Sequence, residues 1–148
     1  MKIENILEVK GRIVETIAPD TLVRTAVDRL VTAGIGALVV SSDGETVLGI
    51  IAERDVLGAL SRYGAAALDQ RVGAVMRVQV STTTSDAALA DVMDEMTTRR
   101  QRHVPVLERG RLVGIVSVGD VVKIRFDELE LESNVMRDAY VAQRFARR

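Results

Sequence analysis

Apolar residues in this chain alternate between helical spacing and short unbroken runs, and the alternation predicts the elements. Ile3, Ile6 and Leu7 share one face of a short amphipathic start over residues 1–10, and residues 12–18 read as an extended lead-in. Pro19-Asp20-Thr21 is a helix-start signal in which the Asp20 carboxylate can accept from an unpaired helix N–H. Val23, Ala26, Val27 and Leu30 then form the apolar face of a helix that Gly34 can end in the left-handed conformation. Ala37–Val40 is an apolar strand, Asp43-Gly44 a turn, and Val47–Ala52 the returning strand. Asp55 can cap a helix over Val56–Arg62. Residues 64–69 read as a linker of small residues, and Val72–Met76 as a short helical piece.

The second half repeats the first. Residues 20–44 fall on 86–110 at a constant offset of 66, and Gly49–Asp55 falls on Gly114–Asp120 at 65. Val78–Thr82 is the second extended lead-in, and Ser85 or Asp86 starts a helix to about Thr98. Val104–Leu107 is a strand, Arg109-Gly110 a turn, Leu112–Ser117 the return, and Asp120 caps the last helix. Pro105 has no N–H to give a ladder, so its strand is expected at an edge or to begin there. A unit of about sixty residues is marginal alone, so the two are expected to share one core as halves of one module. The boundaries are 1–76 for the first repeat with its lead-in, 77–126 for the second, and 127–148 for a C-terminal helical extension.

Composition narrows the function. Apolar residues make up 47% of the 148, but aromatics only 3%, with no Trp, so Val, Ile, Leu, Ala and Met must build the core. That favours a mixed α/β architecture. Twenty basic and 21 acidic residues give a net charge of -1, which argues against a nucleic-acid-binding role, since that needs a basic excess. With no Cys and one His, the chain has no thiol nucleophile, disulfide or multi-histidine metal site. No apolar run approaches the ~18 residues of a membrane span, and the charged start lacks a signal-peptide stretch. The expectation is a soluble cytoplasmic protein with no metal and no membrane partner.

Two copies of helix–strand–turn–strand–helix, each closing on Gly-Ile-(Ile/Val)-x-x-x-Asp, resemble the cystathionine-β-synthase (CBS) domain pair, or Bateman module. Gly34–Val40, Ala52–Val56 and Arg102-His103-Val104-Pro105-Val106 carry the same likeness, which covers about residues 12–126. The resemblance implies an α/β (α+β) fold of two pseudo-symmetric β-α-β-β-α repeats packed sheet to sheet, here with an extended C-terminal helix. It implies a regulatory module rather than an enzyme. Such pairs bind adenine-containing ligands (AMP, ADP, ATP, NAD or S-adenosylmethionine) in two clefts between the repeats, and commonly form flat homodimers.

By match to the family, the main site comprises Val14, Ile35 and Gly36 around adenine, Arg102 on phosphate, and Ile115, Ser117 and Asp120 at the corner. Ser117 would bond a phosphate or ribose oxygen, and Asp120 the ribose diol. The chemistry is sound: one carboxylate can accept both donors of a cis-diol, and a helix N-terminus favours phosphate. The mirror site would use Ile50, Asp55 and Val80, with Arg100 or Gln101. It departs from the pattern at Ala52, where the hydroxyl is missing, and at Gly36, the counterpart of Arg102, so weaker binding is expected there. Arg54 is a candidate substitute cation. Asp55 reads equally as a plain helix cap, and His103 as a structural strand residue.

The ligand expected is an adenine nucleotide acting as a regulatory ligand, AMP first and NAD as an alternative. It would act by a shape change passed to an unidentified protein effector. Val122, Phe126, Leu129, Ser133, Met136 and Tyr140 recur at spacings of 4, 3, 4, 3 and 4, a coiled-coil-like seam. Ile124, Leu131 and Val135 form a second apolar line. A homodimer contact is the expectation. The alternative function is an interaction adaptor whose clefts are vestigial. A Ser117–His103–Asp120 triad has no accompanying oxyanion motif, and no catalytic residues are assigned.

Overall fold

The computed structural model describes residues 1–145, with side chains described through Ala139. Six helices and five strands follow in the order α1 (Ile3–Lys10), β1 (Thr16–Ile17), α2 (Val23–Ala33), β2 (Ala37–Val40), β3 (Gly49–Ala52), α3 (Glu53–Tyr63), α4 (Val72–Val75), α5 (Leu89–Thr98), β4 (His103–Glu108), β5 (Arg111–Ser117) and α6 (Val118–Phe145). The small-residue stretch Gly64–Asp69 is a 3-10 helix joining α3 to α4.

The strands form two small sheets, β1-β2-β3 and β4-β5. In the first, β1 runs parallel to β2 and β2 antiparallel to β3, with Val39 opposite Ile50. All four residues of β2 and of β3 are buried, because both faces of this sheet are covered. Leu38, Val40 and Ile51 face α2, α3 and α4, in one core with Val23, Leu30 and Val72. Ala37, Val39, Ile50 and Ala52 face the other repeat, against Leu112 and Ile115 of β5 and Val14 and Val80 of the lead-ins. Val104, Val106 and Val116 point away from that layer into a third core with α5 and α6. The two sheets thus share one apolar layer, as two marginal half-units require. Pro105 lies in β4, which pairs fully only with β5; on its other side stands a single parallel bridge, Thr83 to Val106.

The lead-ins are exchanged. Ile3, Ile6 and Leu7 of α1, grouped by sequence with the first repeat, are buried in the core of the second. The second lead-in crosses the other way: Arg77 and Ile50 exchange both backbone hydrogen bonds, at 2.9 and 3.0 Å. This exchange also moves the helix starts. Neither Asp20 nor Ser85 or Asp86 caps a helix. Instead Leu22 bridges Arg71, and Ala88 bridges Lys2. The first N–H of α2, on Val23, goes to the Gln70 carbonyl, and that of α5, on Leu89, to the Met1 carbonyl. With those donors satisfied by a neighbouring segment, no side-chain cap is needed, and both helices begin two residues later than caps at Asp20 and Asp86 would place them.

The return strand of the first repeat starts at Gly49 rather than Val47. The Asp43 carboxylate accepts from the N–H groups of Glu45 and Thr46, which holds residues 43–46 as a turn. Gly44 sits in the left-handed region, φ 80°, as the turn signal requires. No described helix is long and apolar enough to cross a membrane.

Candidate functional site

The corner between β5 and α6 is built as a reciprocal cap. Ser117 is the N-cap, and its hydroxyl accepts from the Asp120 N–H at 3.2 Å. Asp120, three positions into the turn, reaches back so that Oδ2 accepts from the Ser117 N–H at 2.7 Å and from its hydroxyl at 2.9 Å. Ser117 is therefore the cap expected at Asp120. Lys10, at the end of α1, completes the corner: its Nζ donates to Asp120 Oδ2 at 2.7 Å and to the Ile115 carbonyl at 2.9 Å. Burial pushes the Asp120 carboxyl up, but the Lys10 ammonium and the two Ser117 donors outweigh it and hold the group below its ordinary value. Among the described residues none donates to Oδ1.

A cleft of about 320 Å³ opens beside this corner. Val14, Ile35, Gly36, Ile115, Ser117 and Asp120 all line it, and so do Lys10 and the single histidine, His103. Arg102 is not in it. Arg102 lines an adjoining cavity of about 310 Å³, which shares Gly36, His103 and Ser117 with the cleft. The His103 ring forms the partition: a Cβ on Gly36 would lie 3.1 Å from Cε1 and Nε2. Burial first, and then the Arg102 charge, lower the imidazole pKa, against the opposite pull of Asp120 and Glu53.

The first-repeat corner differs. Asp55 is the third residue of α3, and its Oδ2 accepts from the Ala52 N–H at 2.8 Å; no side chain caps this helix. Arg77 Nε stands 3.0 Å from Asp55 Oδ1, an ion pair without hydrogen-bond alignment. The six residues expected at the mirror site are not gathered in one cavity. Ala52 and Arg100 line the 310 Å³ cavity, whereas Asp55 lines a separate hollow of about 400 Å³ between α3 and α4. Ile50 is fully buried, and Val80 packs beside Val14 and Ile115. Gln101 is buried with its amide engaged by backbone: Oε1 accepts from the Ser81 N–H at 2.9 Å, and Nε2 donates to the carbonyls of Ser81 at 2.7 Å and His103 at 2.9 Å.

The motif glycines are explained by packing. A Cβ on Gly49 would stand 2.4 Å from the Arg77 carbonyl oxygen, and one on Gly114 2.7 Å from Leu7 Cδ2. Each exchanged lead-in thus lies against the glycine of the corner it serves. Lys10 and Arg77, the cations on the two corner aspartates, were not among the residues picked out by sequence. The available signal was a basic residue shortly before each lead-in valine, four before Val14 and three before Val80.

The paired corners have a counterpart among known proteins. The CBS domain profile matches this chain twice, at residues 8–62 and 72–127. The chain belongs to the CBS-domain family. As a CBS pair, it is similar to the CBS-domain protein ATU1752 of Agrobacterium tumefaciens, at 44% identity and a TM-score of 0.81 over 84% of this chain and 99% of that one. It is 36% identical over 108 residues to the mitochondrial CBS domain-containing protein CBSX3 of Arabidopsis thaliana, covering 70% of this chain and 52% of that protein. The CBS pair therefore spans about half the length of this plant relative. At 22% identity, the likeness to two ligand-bound structures shows the fold alone: the pair of MJ0100 with 5′-methylthioadenosine and S-adenosyl-L-methionine, TM-score 0.76 over 86% of this chain and 98% of that one, and CBSX2 with AMP, TM-score 0.72 over 85% and 96%.

Proposed function

We propose that this CBS pair is a sensor for an adenosyl ligand, AMP foremost and NAD the alternative, held at the Asp120 corner and read by a protein effector. The observation that carries the reading is the 320 Å³ cleft. It joins an apolar wall (Val14, Ile35, Ile115) to a carboxylate that can accept from a ribose diol, and it adjoins a cavity lined by four arginines. Apolar wall, acceptor and cations match base, ribose and phosphate in that order. The ligands bound by MJ0100 and CBSX2, which share the fold, support the adenosyl class. The role is regulatory rather than catalytic: Ser117 and Asp120 are engaged with each other as a helix cap, not poised on a base.

The first-repeat corner, without a hydroxyl at Ala52 and with Asp55 held by Arg77, is the weaker site. Losing one charge-assisted hydrogen bond corresponds to roughly 1.5–3 kcal/mol, or about one to two decades of affinity. The homodimer contact is the exposed seam of α6, where Val122, Phe126, Leu129 and Met136 are each 60–68% exposed. Tyr140, the last seam position, lies outside the described side chains.

Mass spectrometry of small molecules released from the purified protein tests the reading. An adenosine-containing ligand is expected, and its absence from protein that also fails to bind added adenosyl compounds would refute the proposal. The seam favours one second reading, an adaptor with vestigial clefts. On that reading Asp120→Ala leaves partner capture intact and nucleotide-independent.

A further inference from the structure

We infer that α6 pairs in parallel and in register with α6 of a second copy of this chain, so that two modules stand side by side on one coiled coil. This rests on the reading of the α6 seam as the homodimer contact and adds the direction of the partner, which the flanking charges decide. The helix divides into two parts. Val121 is buried and Ile124 packs against the core of the second repeat. From Arg125 to Ala139 every residue is exposed except Glu128, which is partly buried. A helix that projects in this way lacks the tertiary packing that sustains helices in water. Val122, Phe126, Leu129 and Met136 lie along its exposed side, turned away from the core that Val121 and Ile124 enter.

Spacing alone does not orient a partner, because intervals of 4, 3, 4, 3 and 4 are the same in both directions. The charges beside the seam do. In a parallel pair, the residue before one seam position meets the residue after the next on the partner helix. Arg125 then meets Glu130 of the partner subunit, and Glu132 meets Arg137 of the partner subunit. Both steps set opposite charges together, and two-fold symmetry repeats them. In an antiparallel pair over the whole seam, Glu130 and Glu132 each meet their own copies and Lys123 meets Arg137 of the partner subunit, all like charges. Shifting that pair by one heptad relieves the charges but leaves Met136, or Val122 and Phe126, outside the contact. Arg125 holds Glu128 of its own helix at 2.9 Å in an exposed pair, which is readily exchanged. Parallel pairing also sets both Ser117–Asp120 corners at the same end of the coil, just ahead of the Val122 layer.

The chain has no cysteine, so an introduced thiol reports alone. Val122→Cys and Met136→Cys are made separately, circular dichroism checks that each folds, and each is oxidised with glutathione disulfide at low protein concentration. Both should give a disulfide-linked dimer, because a parallel pair sets each position against its own copy. In an antiparallel pair of any register, at least one of the two positions stands roughly 20 Å or more from its copy, beyond the ~7 Å between Cα atoms that a disulfide can bridge. As a second readout, Arg125→Glu should raise the dimer dissociation constant roughly 3- to 10-fold, and adding Glu130→Arg to the same chain should restore it. A dimer that Phe126→Glu dissociates, but that cross-links at fewer than both positions or is not restored by Glu130→Arg, would overturn the parallel pairing and leave the seam contact standing. A dimer untouched by Phe126→Glu, or a wild type that sediments as a single chain, would defeat the seam reading and the parallel pairing with it.

Discussion

Lys10 and Asp120, 110 residues apart in sequence, meet at 2.7 Å, and the contact ties the end of α1 to the corner between β5 and α6. Arg77 and Asp55 form the counterpart pair at 3.0 Å in the other repeat. Each motif aspartate therefore carries a cation delivered by an exchanged lead-in. A ribose diol at Asp120 must use the open Oδ1 or displace Lys10 from Oδ2.

Lys10→Met should remove this ion pair while keeping most of the apolar stem. Both side chains are about three-quarters covered, with 29% and 23% exposed, so the loss at pH 7 should be about 1 kcal/mol. The sign with pH follows from the lowered Asp120 pKa. The stabilisation is present above the ordinary carboxylate value and is lost as pH falls through the lower folded-state value. Urea unfolding of wild type and variant should differ at pH 7 and converge at the acid end. An equal difference at both would show that the pair is not its source.

Two glycines at equivalent positions should respond differently to the same methyl group. In Gly49→Ala the new Cβ meets the backbone carbonyl of Arg77 at 2.4 Å; in Gly114→Ala it meets the end of the Leu7 side chain at 2.7 Å. Backbone cannot yield as a leucine rotamer can, so Gly49→Ala should fall at or above the upper end of the ~1–3 kcal/mol overpacking range and Gly114→Ala near the lower. Thermal denaturation of the two variants gives the order directly.

His103 is the single histidine, so its imidazole can be followed by NMR without ambiguity. It faces Arg102, Lys10, Asp120 and Glu53, and burial with the Arg102 charge lowers its pKa below the ordinary 6.5. The neutral ring is thus favoured in the folded protein, and this contribution to stability fades as pH falls through the lowered value. An anion in the adjoining cavity should raise the pKa and produce proton uptake on binding. A titration curve unmoved by saturating AMP would place its phosphate elsewhere.

The α6 seam predicts assembly. Phe126→Glu puts a charge on a side chain that is 60% exposed in the single chain, so the fold should survive while the dimer dissociates. Sedimentation velocity should show twice the chain mass for wild type and the single-chain mass for the variant.

The repeat, the strand order within each half and the corner motifs were legible because they rest on local periodicity and on turn residues such as Asp43-Gly44. The helix starts were not. Asp20 and Asp86 are sound cap signals, but the N–H groups they would satisfy already bond the carbonyls of Gln70 and Met1, brought in by distant segments. The same long-range exchange hid the placement of α1 and the roles of Lys10 and Arg77. Local pattern holds no record of which repeat a lead-in will cross to. Gln101 shows the converse: the family match suggested ligand contact, while its amide closes backbone bonds to Ser81 and His103.

The most direct test of the account is calorimetric titration of ligand-free protein with AMP, ADP, ATP, NAD and S-adenosylmethionine, in wild type and in Asp120→Asn. The account predicts sub-millimolar binding of at least one of them to wild type. It also predicts roughly a tenfold or greater loss in the variant, which cannot accept both hydroxyls of a ribose diol. No binding of any of the five, or equal affinity in Asp120→Asn, would contradict it.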